Sequence, residues 1–286
     1  MSTPRFDAHA RRKTEAALAA HLDGFETVRE DAGTKRLIPV GNVFTRRLFD
    51  GWFFHSAVAP MSEVPIVSVV FVQSLEGHTG ADDPGTLGGG DTDKHVIYEG
   101  LSRVDANGVL AGATTAREDD LVFSVWHPEL VALRGALGRP RHPAQIVVTG
   151  RGELNMDRAL MFNEPSLRTI VLAATASAPR LRDRLRDKPW VEVVDAGEPL
   201  DAVRGMRELH ARGIGVLSVV GGRRTATWLL RAGVVSDLYV TTSSLSGGEP
   251  GTPLYDGPPL MKRLVLEKRG RRREAGVRFE HLLVGG

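Results

Sequence analysis

Cysteine is absent from the 286 residues. That excludes disulfide scaffolds, thiolate metal sites and cysteine nucleophiles together. No apolar run reaches ten residues, which is too short to span a bilayer. The first twenty-one residues, MSTPRFDAHARRKTEAALAAH, lack the apolar core of a secretory signal. The chain therefore reads as soluble and cytoplasmic, with no membrane partner. Net charge is nearly absent too, at +2 from 37 basic and 35 acidic residues. Lysine is scarce, and arginine supplies most of the positive charge. No internal repeat appears at a solenoid period. What remains is ordinary globular composition, 42% hydrophobic and 25% charged, enough to bury a sizeable core.

One basic cluster stands out: Lys262, Arg263, Lys268, Arg269, Arg271, Arg272 and Arg273. A polyanion patch is one reading. A solvated hairpin is the plainer one and is preferred. No aromatic residue interleaves the charges, and basic residues also protect a sheet edge from pairing. Nucleic acid is not expected as a partner. The nine histidines, among them His78, His95, His127, His142 and His210, show no metal-ligand spacing. No Gly-x-Ser-x-Gly elbow is present, which disfavours a serine hydrolase.

Residues 1–63 form an N-terminal extension of a different character from the rest. Helical spacing predicts a helix over Phe6–Leu22. An irregular stretch with apolar runs Leu37–Val43 and Trp52–Ala59 follows. It suits an edge extension, a dimerisation arm or a lid. From Pro65, strands and helices alternate. Strands are predicted at Ile66–Ser74, Gly108–Thr114, Gln145–Gly150, Thr169–Thr175, Val191–Gly197, Val216–Gly222 and Ser236–Ser244. Helices are predicted at Thr92–Val104, from Pro128 to near Gly138, at Pro179–Asp187, Leu200–Arg212 and Thr225–Ala232. A terminal hairpin, Arg263–Lys268 with Gly276–Leu283, makes the sheet mixed. Residues 64–286 thus read as one α/β domain, a mostly parallel central sheet with helices on both faces.

Ligands of such sheets bind at the carboxyl ends of the strands. Four ends carry suggestive residues: Ser74-Leu75-Glu76-Gly77, Gly112-Ala113-Thr114-Thr115, Thr149-Gly150-Arg151-Gly152 and Gly221-Gly222-Arg223-Arg224-Thr225. The last is the sharpest. Two glycines let the backbone approach a ligand, and the helix that follows offers N–H groups and a positive dipole end suited to phosphate. Each end is also compatible with a plain tight turn. Gly88-Gly89-Gly90 reads as a flexible loop or a lid over the site.

In order, these ends resemble the reductase domain of the bifunctional riboflavin-pathway deaminase-reductases. Val67–Gly77 resembles that family's strand ending in Ser-Leu-Asp-Gly, and Val109–Thr115 its Val-Gly-Ala-Gly-Thr strand. Ile146–Asn155 resembles the cofactor-side strand and turn, and Ser218–Gly257 the segment opening Glu-Gly-Gly. The resemblance implies a dihydrofolate-reductase-like fold, NADPH as cofactor and a homodimer. Carried over, Gly112, Ala113, Thr114 and Thr115 would contact the nicotinamide side. Gly221, Gly222, Arg223 and Thr225 would hold the pyrophosphate, and Thr149 and Arg151 the adenosine phosphate. Ser74 and Glu76 would meet substrate.

The departures bear on substrate. The family's acid is Glu76 here, one methylene longer, and a common lysine is His78. The Glu of Glu-Gly-Gly is Val220, an Asp aligns with Asn107, and a Glu is replaced by Leu238. A phosphoribosylamino-pyrimidine substrate is therefore disfavoured. No Cys-x-x-Cys is present, so a zinc deaminase half is missing. The expectation is an NADPH-dependent reductase of a small heterocyclic or imine/carbonyl substrate. Glu76 would orient substrate or relay a proton. His78 is the alternative donor, histidine being the side chain that switches near neutral pH. The alternative is a nucleotide-binding or interaction paralogue without turnover.

Overall fold

The computed structural model describes residues 2–31, 36–81 and 87–285. Twelve strands are assigned among the described residues: β1 Phe25–Glu30, β2 Leu37–Val40, β3 Phe53–Ser56, β4 Ile66–Gln73, β5 Gly108–Gly112, β6 Ala144–Thr149, β7 Thr169–Ala173, β8 Val191–Asp195, β9 Val216–Val220, β10 Asp237–Thr242, β11 Lys262–Gly270 and β12 Arg278–Val284. Ten form one sheet in the order β1-β11-β12-β10-β4-β9-β5-β6-β7-β8, and β2 pairs with β3 separately. The seven strands from β10 to β8 run parallel; β12, β11 and β1 continue the sheet antiparallel. The architecture is the α/β type expected, mixed and mostly parallel.

The central strands are continuous apolar runs because both faces are covered. On one face Val70, Val109, Ala111, Val147, Val171, Val220 and Tyr239 pack against the helices carrying Val96, Leu101, Leu130, Leu133 and Leu181. On the other, Val69, Leu110, Ile146, Leu172 and Val219 meet Met206 and Leu209 of the helix Ala202–Ala211 and Ala226 and Leu229 of the helix Arg223–Arg231. Alternation along each strand thus assigns every residue to a face.

The helix predicted over Thr92–Val104 is present but irregular. Gly90–Thr92 leads into a π-helical stretch, Asp93–Leu101, and then Ser102–Val104. Such i→i+5 stretches are rare and often accompany functional sites. The first helix is Pro4–Ala19, capped by Thr3, whose side chain accepts from Phe6 N–H; Ala20 turns extended and ends it before Leu22.

The stretch after it is more ordered than its sequence suggests. It supplies β1, which pairs with β11 and completes the sheet edge, the helix Val43–Phe49 and the β2–β3 pair. Phe25, Phe49, Phe53 and Phe54 are buried, and Phe49 and Phe53 contact the rings of Phe279 and Tyr239 at 5.4 and 4.9 Å between centroids. Each ring withdrawn from water contributes about 2–3 kcal/mol. These rings, rather than the surface ion pairs around them, hold the extension on the domain, since exposed pairs are worth at most about 1 kcal/mol each.

The basic hairpin is not the uniformly solvated face expected. Lys268 is fully buried, and its ammonium donates to Thr27 Oγ1 at 2.7 Å and to the Asp50 carbonyl at 2.9 Å. Burial pushes its pKa down. Arg263, Arg271 and Arg272 face Asp31, Asp50 and Asp23 of the extension at 3.3, 3.4 and 3.9 Å. Lys268, Arg263, Arg271 and Arg272 are thus met within the chain, through contacts a linear reading cannot show, while Lys262, Arg269 and Arg273 stay exposed.

Candidate active site

The parallel strands deliver their carboxyl ends to one edge. At its centre β9 lies between β4 and β5. Gly221 and Gly222 follow β9 with φ of +73° and +80°, the left-handed region that glycine enters without strain. A Cβ on Gly221 would lie 3.1 Å from Thr115 Cγ2, and one on Gly112 would lie 2.7 Å from Thr225 Oγ1. Two segments far apart in sequence, 112–115 and 221–225, are therefore in van der Waals contact, and side chains at Gly112 and Gly221 would collide with the threonines of the facing segment. Gly222 caps the helix Arg223–Arg231 with no side-chain hydrogen bond. The helix thus presents its first-turn N–H groups and dipole to this lip. Ala113 N–H donates to Val148 O at 3.1 Å, fixing the turn after β5, and Thr114 faces solvent. Arg223 is turned aside, donating to the Gly251 carbonyl at 3.2 Å.

Thr149 and Arg151 are brought to the same edge one strand further, after β6. Thr149 Oγ1 accepts from Gly152 N–H at 2.9 Å, which shapes the turn and leaves the Arg151 side chain exposed. With strands about 4.8 Å apart, this arginine lies beside the glycine lip without touching it.

Ser74, Glu76 and His78 stand on the other side, after β4. The loop they form is laced to the segment after β10. Leu75 N–H donates to Leu245 O at 3.0 Å, Thr79 N–H to Thr252 O at 2.8 Å and Glu249 N–H to Gly80 O at 2.8 Å. The Glu76 carboxylate is the fastener. It accepts from Ser74 Oγ at 2.9 Å and Gly247 N–H at 3.1 Å. The Ser246 hydroxyl, these N–H groups and Ser74 hold its pKa down to about 2. Glu76 is an anion across the physiological range and accepts hydrogen bonds. His78 donates its backbone N–H to Ser74 Oγ at 3.3 Å and packs at Gly248.

A further acid joins the site that no strand-end motif marks. Asp93 begins the π-helical stretch and is buried against β10, where Thr241 donates a hydrogen bond to its carboxyl. Burial, reinforced by the nearby Glu274 carboxylate and opposed by the Thr241 hydrogen bond, pushes its pKa up to about 7. The one signal in the sequence is its place on the same stripe as Val96, Ile97, Leu101 and Val104. An acid on the core face of a helix needs a partner or a proton. Gly88-Gly89-Gly90 crosses directly over it: a Cβ on Gly89 would collide with the Asp93 carboxylate, and one on Gly90 with that of Glu274.

Among the described residues no group of His, Asp and Glu is placed to hold a metal ion, and no helix is long and apolar enough to cross a membrane.

Comparison with known proteins agrees with this architecture. Residues 65–274 match the family model of the RibD C-terminal domain. No relative is found among curated sequences. Among solved structures, a pyrimidine reductase-like protein from Corynebacterium diphtheriae superposes with a TM-score of 0.65 at 20% identity, over 78% of this chain and 92% of that one. RibD from Acinetobacter baumannii gives 0.58 at 15% identity, over 78% of this chain and 59% of that one. The riboflavin biosynthesis reductase of Saccharomyces cerevisiae gives 0.55 at 18% identity, over 79% and 92%. These identities establish a shared fold, and the family match spans most of the chain. The protein belongs to the RibD C-terminal domain family.

Proposed function

We propose that this protein is an NADPH-dependent reductase of a small heterocyclic or imine/carbonyl substrate. The observation that supports it most is the lip where Gly112, Thr115, Gly221, Gly222 and Thr225 converge ahead of a helix N-terminus. Glycines at positive φ beside hydroxyls and the first N–H groups of a helix suit a pyrophosphate lying against backbone. In this reading Thr149 and Arg151 reach the adenosine end, and an exposed arginine after β6 suits an added phosphate. A reduced nicotinamide held at the lip would supply the hydride. Ser74 and Glu76 set the wall on the far side. With its low pKa, Glu76 orients that wall and substrate as an acceptor, and His78 lies behind it.

Substrate choice is the finer part of the proposal. A solved relative from Thermotoga maritima is a 5-amino-6-(5-phosphoribosylamino)uracil reductase. Here Val220 is fully buried in an apolar cluster, and the rim carries the exposed side chains of Leu75 and Leu245. A less polar substrate than a sugar phosphate fits that rim better.

The test is calorimetric titration of the purified protein with NADPH and NADH, with Gly221→Asp as control. Tight NADPH binding lost in the variant supports the proposal and leads to a substrate screen that includes the phosphoribosylaminouracil. Binding of neither dinucleotide would sink it. Binding without turnover across the screen would favour a nucleotide-binding paralogue. A homodimer, as the family resemblance implies, is read from light scattering on the same sample.

A further inference from the structure

We propose that a proton fastens the N-terminal extension to the domain: His55 docks as an imidazolium between the Ser56 carbonyl and Asp105, and the β2–β3 pair loosens when the ring loses its charge. The inference is independent of the reductase reading, and His55 lies ahead of the segment that matches the family.

Position comes first. β3 lies against the base of the sheet, the end away from the glycine lip. There Asp237 opens β10, and Asp105 stands between the helical stretch ending at Val104 and β5. Ser56 donates its N–H to Asp237 Oδ2 at 3.3 Å and its Oγ to Asp237 Oδ1 at 3.0 Å. Tyr239 donates its hydroxyl to the Phe54 carbonyl at 3.1 Å. His55 Nε2 lies 3.0 Å from Asp105 Oδ2. His55, Asp105 and Asp237 line one small cavity with Ser68 and Ser102. His55 is 6% exposed and Asp237 is wholly buried, so the groups must solvate one another.

The surroundings of the ring specify its charge. Nδ1 is 2.8 Å from the Ser56 carbonyl, which only accepts, so Nδ1 carries a hydrogen. Nε2 faces a carboxylate. Arg139 Nε donates to Asp105 Oδ1 at 2.8 Å. Burial opposes ionisation of Asp105, but His55 and Arg139 outweigh it and hold its pKa below the ordinary value. Asp105 is therefore an anion with no hydrogen to give. A neutral ring would turn an Nε2 lone pair toward it. The two groups are not aligned as a hydrogen bond, so the charge of the ring makes the contact attractive.

The other charged groups preserve that balance. Asp237 adds negative charge from β10, where His281 Nε2 of β12 meets it at 2.7 Å. Arg134, on the helix Pro128–Ala136, gives its Nη1 to the carbonyls of Arg103, Val104 and Ala106 and acts on Asp105 from behind. Burial pushes the His55 pKa down; Asp105, the Ser56 carbonyl and Asp237 outweigh burial and raise it above 6.5. The docked state therefore has the full contribution below pH 6.5 and loses it as pH rises through the folded-state value. Neutralising one partner of a buried pair is costly, because the other keeps its charge. Among the described residues β2 and β3 pair only with each other, so no ladder to the large sheet holds them when the ring turns neutral.

The test follows the wild-type protein from pH 5.5 to 9. Long-range ¹H–¹⁵N NMR on histidine-labelled protein should show a ring that holds both hydrogens at pH 6 and loses one as pH rises; its absence from His55→Gln assigns it. Amide exchange, corrected for the intrinsic rate, is measured over residues 37–40 and 53–56, with β6 as reference. Protection of the β2–β3 pair should fall about tenfold for each pKa unit by which folding raises His55, and β6 should not follow. His55→Gln should abolish the pH dependence. Asp105→Asn should bring the ring titration below 6.5 and open the pair at pH 6. Asp93→Asn, which removes the other group titrating near neutrality, should leave the dependence in place. A neutral His55 ring at pH 6 overturns the proposal. Protection of the pair that stays constant from pH 5.5 to 9 in the wild type also overturns it, and that measurement needs no variant to fold.

Discussion

Replacing Gly221 by alanine separates the backbone requirement at the lip from its role toward a ligand. At φ +73° the left-handed conformation costs an alanine about 1–2 kcal/mol. Its Cβ would also lie 3.1 Å from Thr115 Cγ2 and 3.3 Å from Thr115 Oγ1, so Thr115 must shift by a few tenths of an ångström. Gly213 supplies the control. It has φ +84°, precedes the same strand β9 at its opposite end, and a methyl group added there would have no heavy atom within 4 Å beyond its chain neighbours. Both variants should lose about 1–2 kcal/mol in urea unfolding. Gly221→Ala alone should weaken NADPH binding by at least tenfold, about 1.4 kcal/mol or more, because it alone moves the Thr115 side of the cradle. Calorimetry on the two proteins decides. Equal losses of affinity in both, or wild-type affinity in Gly221→Ala, would refute the reasoning that this cradle holds the dinucleotide.

Other outcomes follow from the charges. Asp93 has its folded pKa raised from 3.8 to about 7, so the folded state binds more protons than the unfolded one between these values. Stability from this group is full below pH 4 and declines as pH rises toward and past 7. Asp93→Asn should therefore be more stable than wild type at pH 8, by at most about 4 kcal/mol, and nearly equal to it at pH 4; urea unfolding at both pH values checks this. Glu76 has the opposite sign: its pKa is lowered to about 2, so the tie between the loops at 74–80 and 245–252 is present above pH 4.5 and lost as pH falls toward 2. Glu76→Gln should raise amide exchange in both loops at pH 7 and remove that acid dependence. Lys268→Ala strips two hydrogen bonds from a buried site and should cost about 2–3 kcal/mol, with proteolysis first appearing in residues 25–56.

The parts legible in the sequence were those set by local rules. Strands β4 to β7 and β9 to β10 announce themselves because a strand covered on both faces must be mostly apolar, while β8 at the sheet edge is only half covered; the helices between them carry the 3.6-residue period. Gly221-Gly222 before Thr225 was legible because only glycine takes positive φ cheaply at a strand-to-helix turn. β1, β2 and β3 were not, because their backbone partners lie elsewhere: Phe25–Glu30 is a strand because β11, more than 230 residues later, offers an open edge. Lys268 shows the same limit in its chemistry. A lysine in a basic run looks solvated until Thr27 and the Asp50 carbonyl close over it. Asp93 shows it most clearly. The sequence determined that Asp93 lies just after three glycines at the start of a helix. Whether that acid holds a proton at neutral pH depends on desolvation, on Thr241 and on Glu274, both contributed from the far end of the chain. Only the tertiary structure decides that, since solvent exclusion and the charge of a neighbour belong to the folded chain and not to any segment of it.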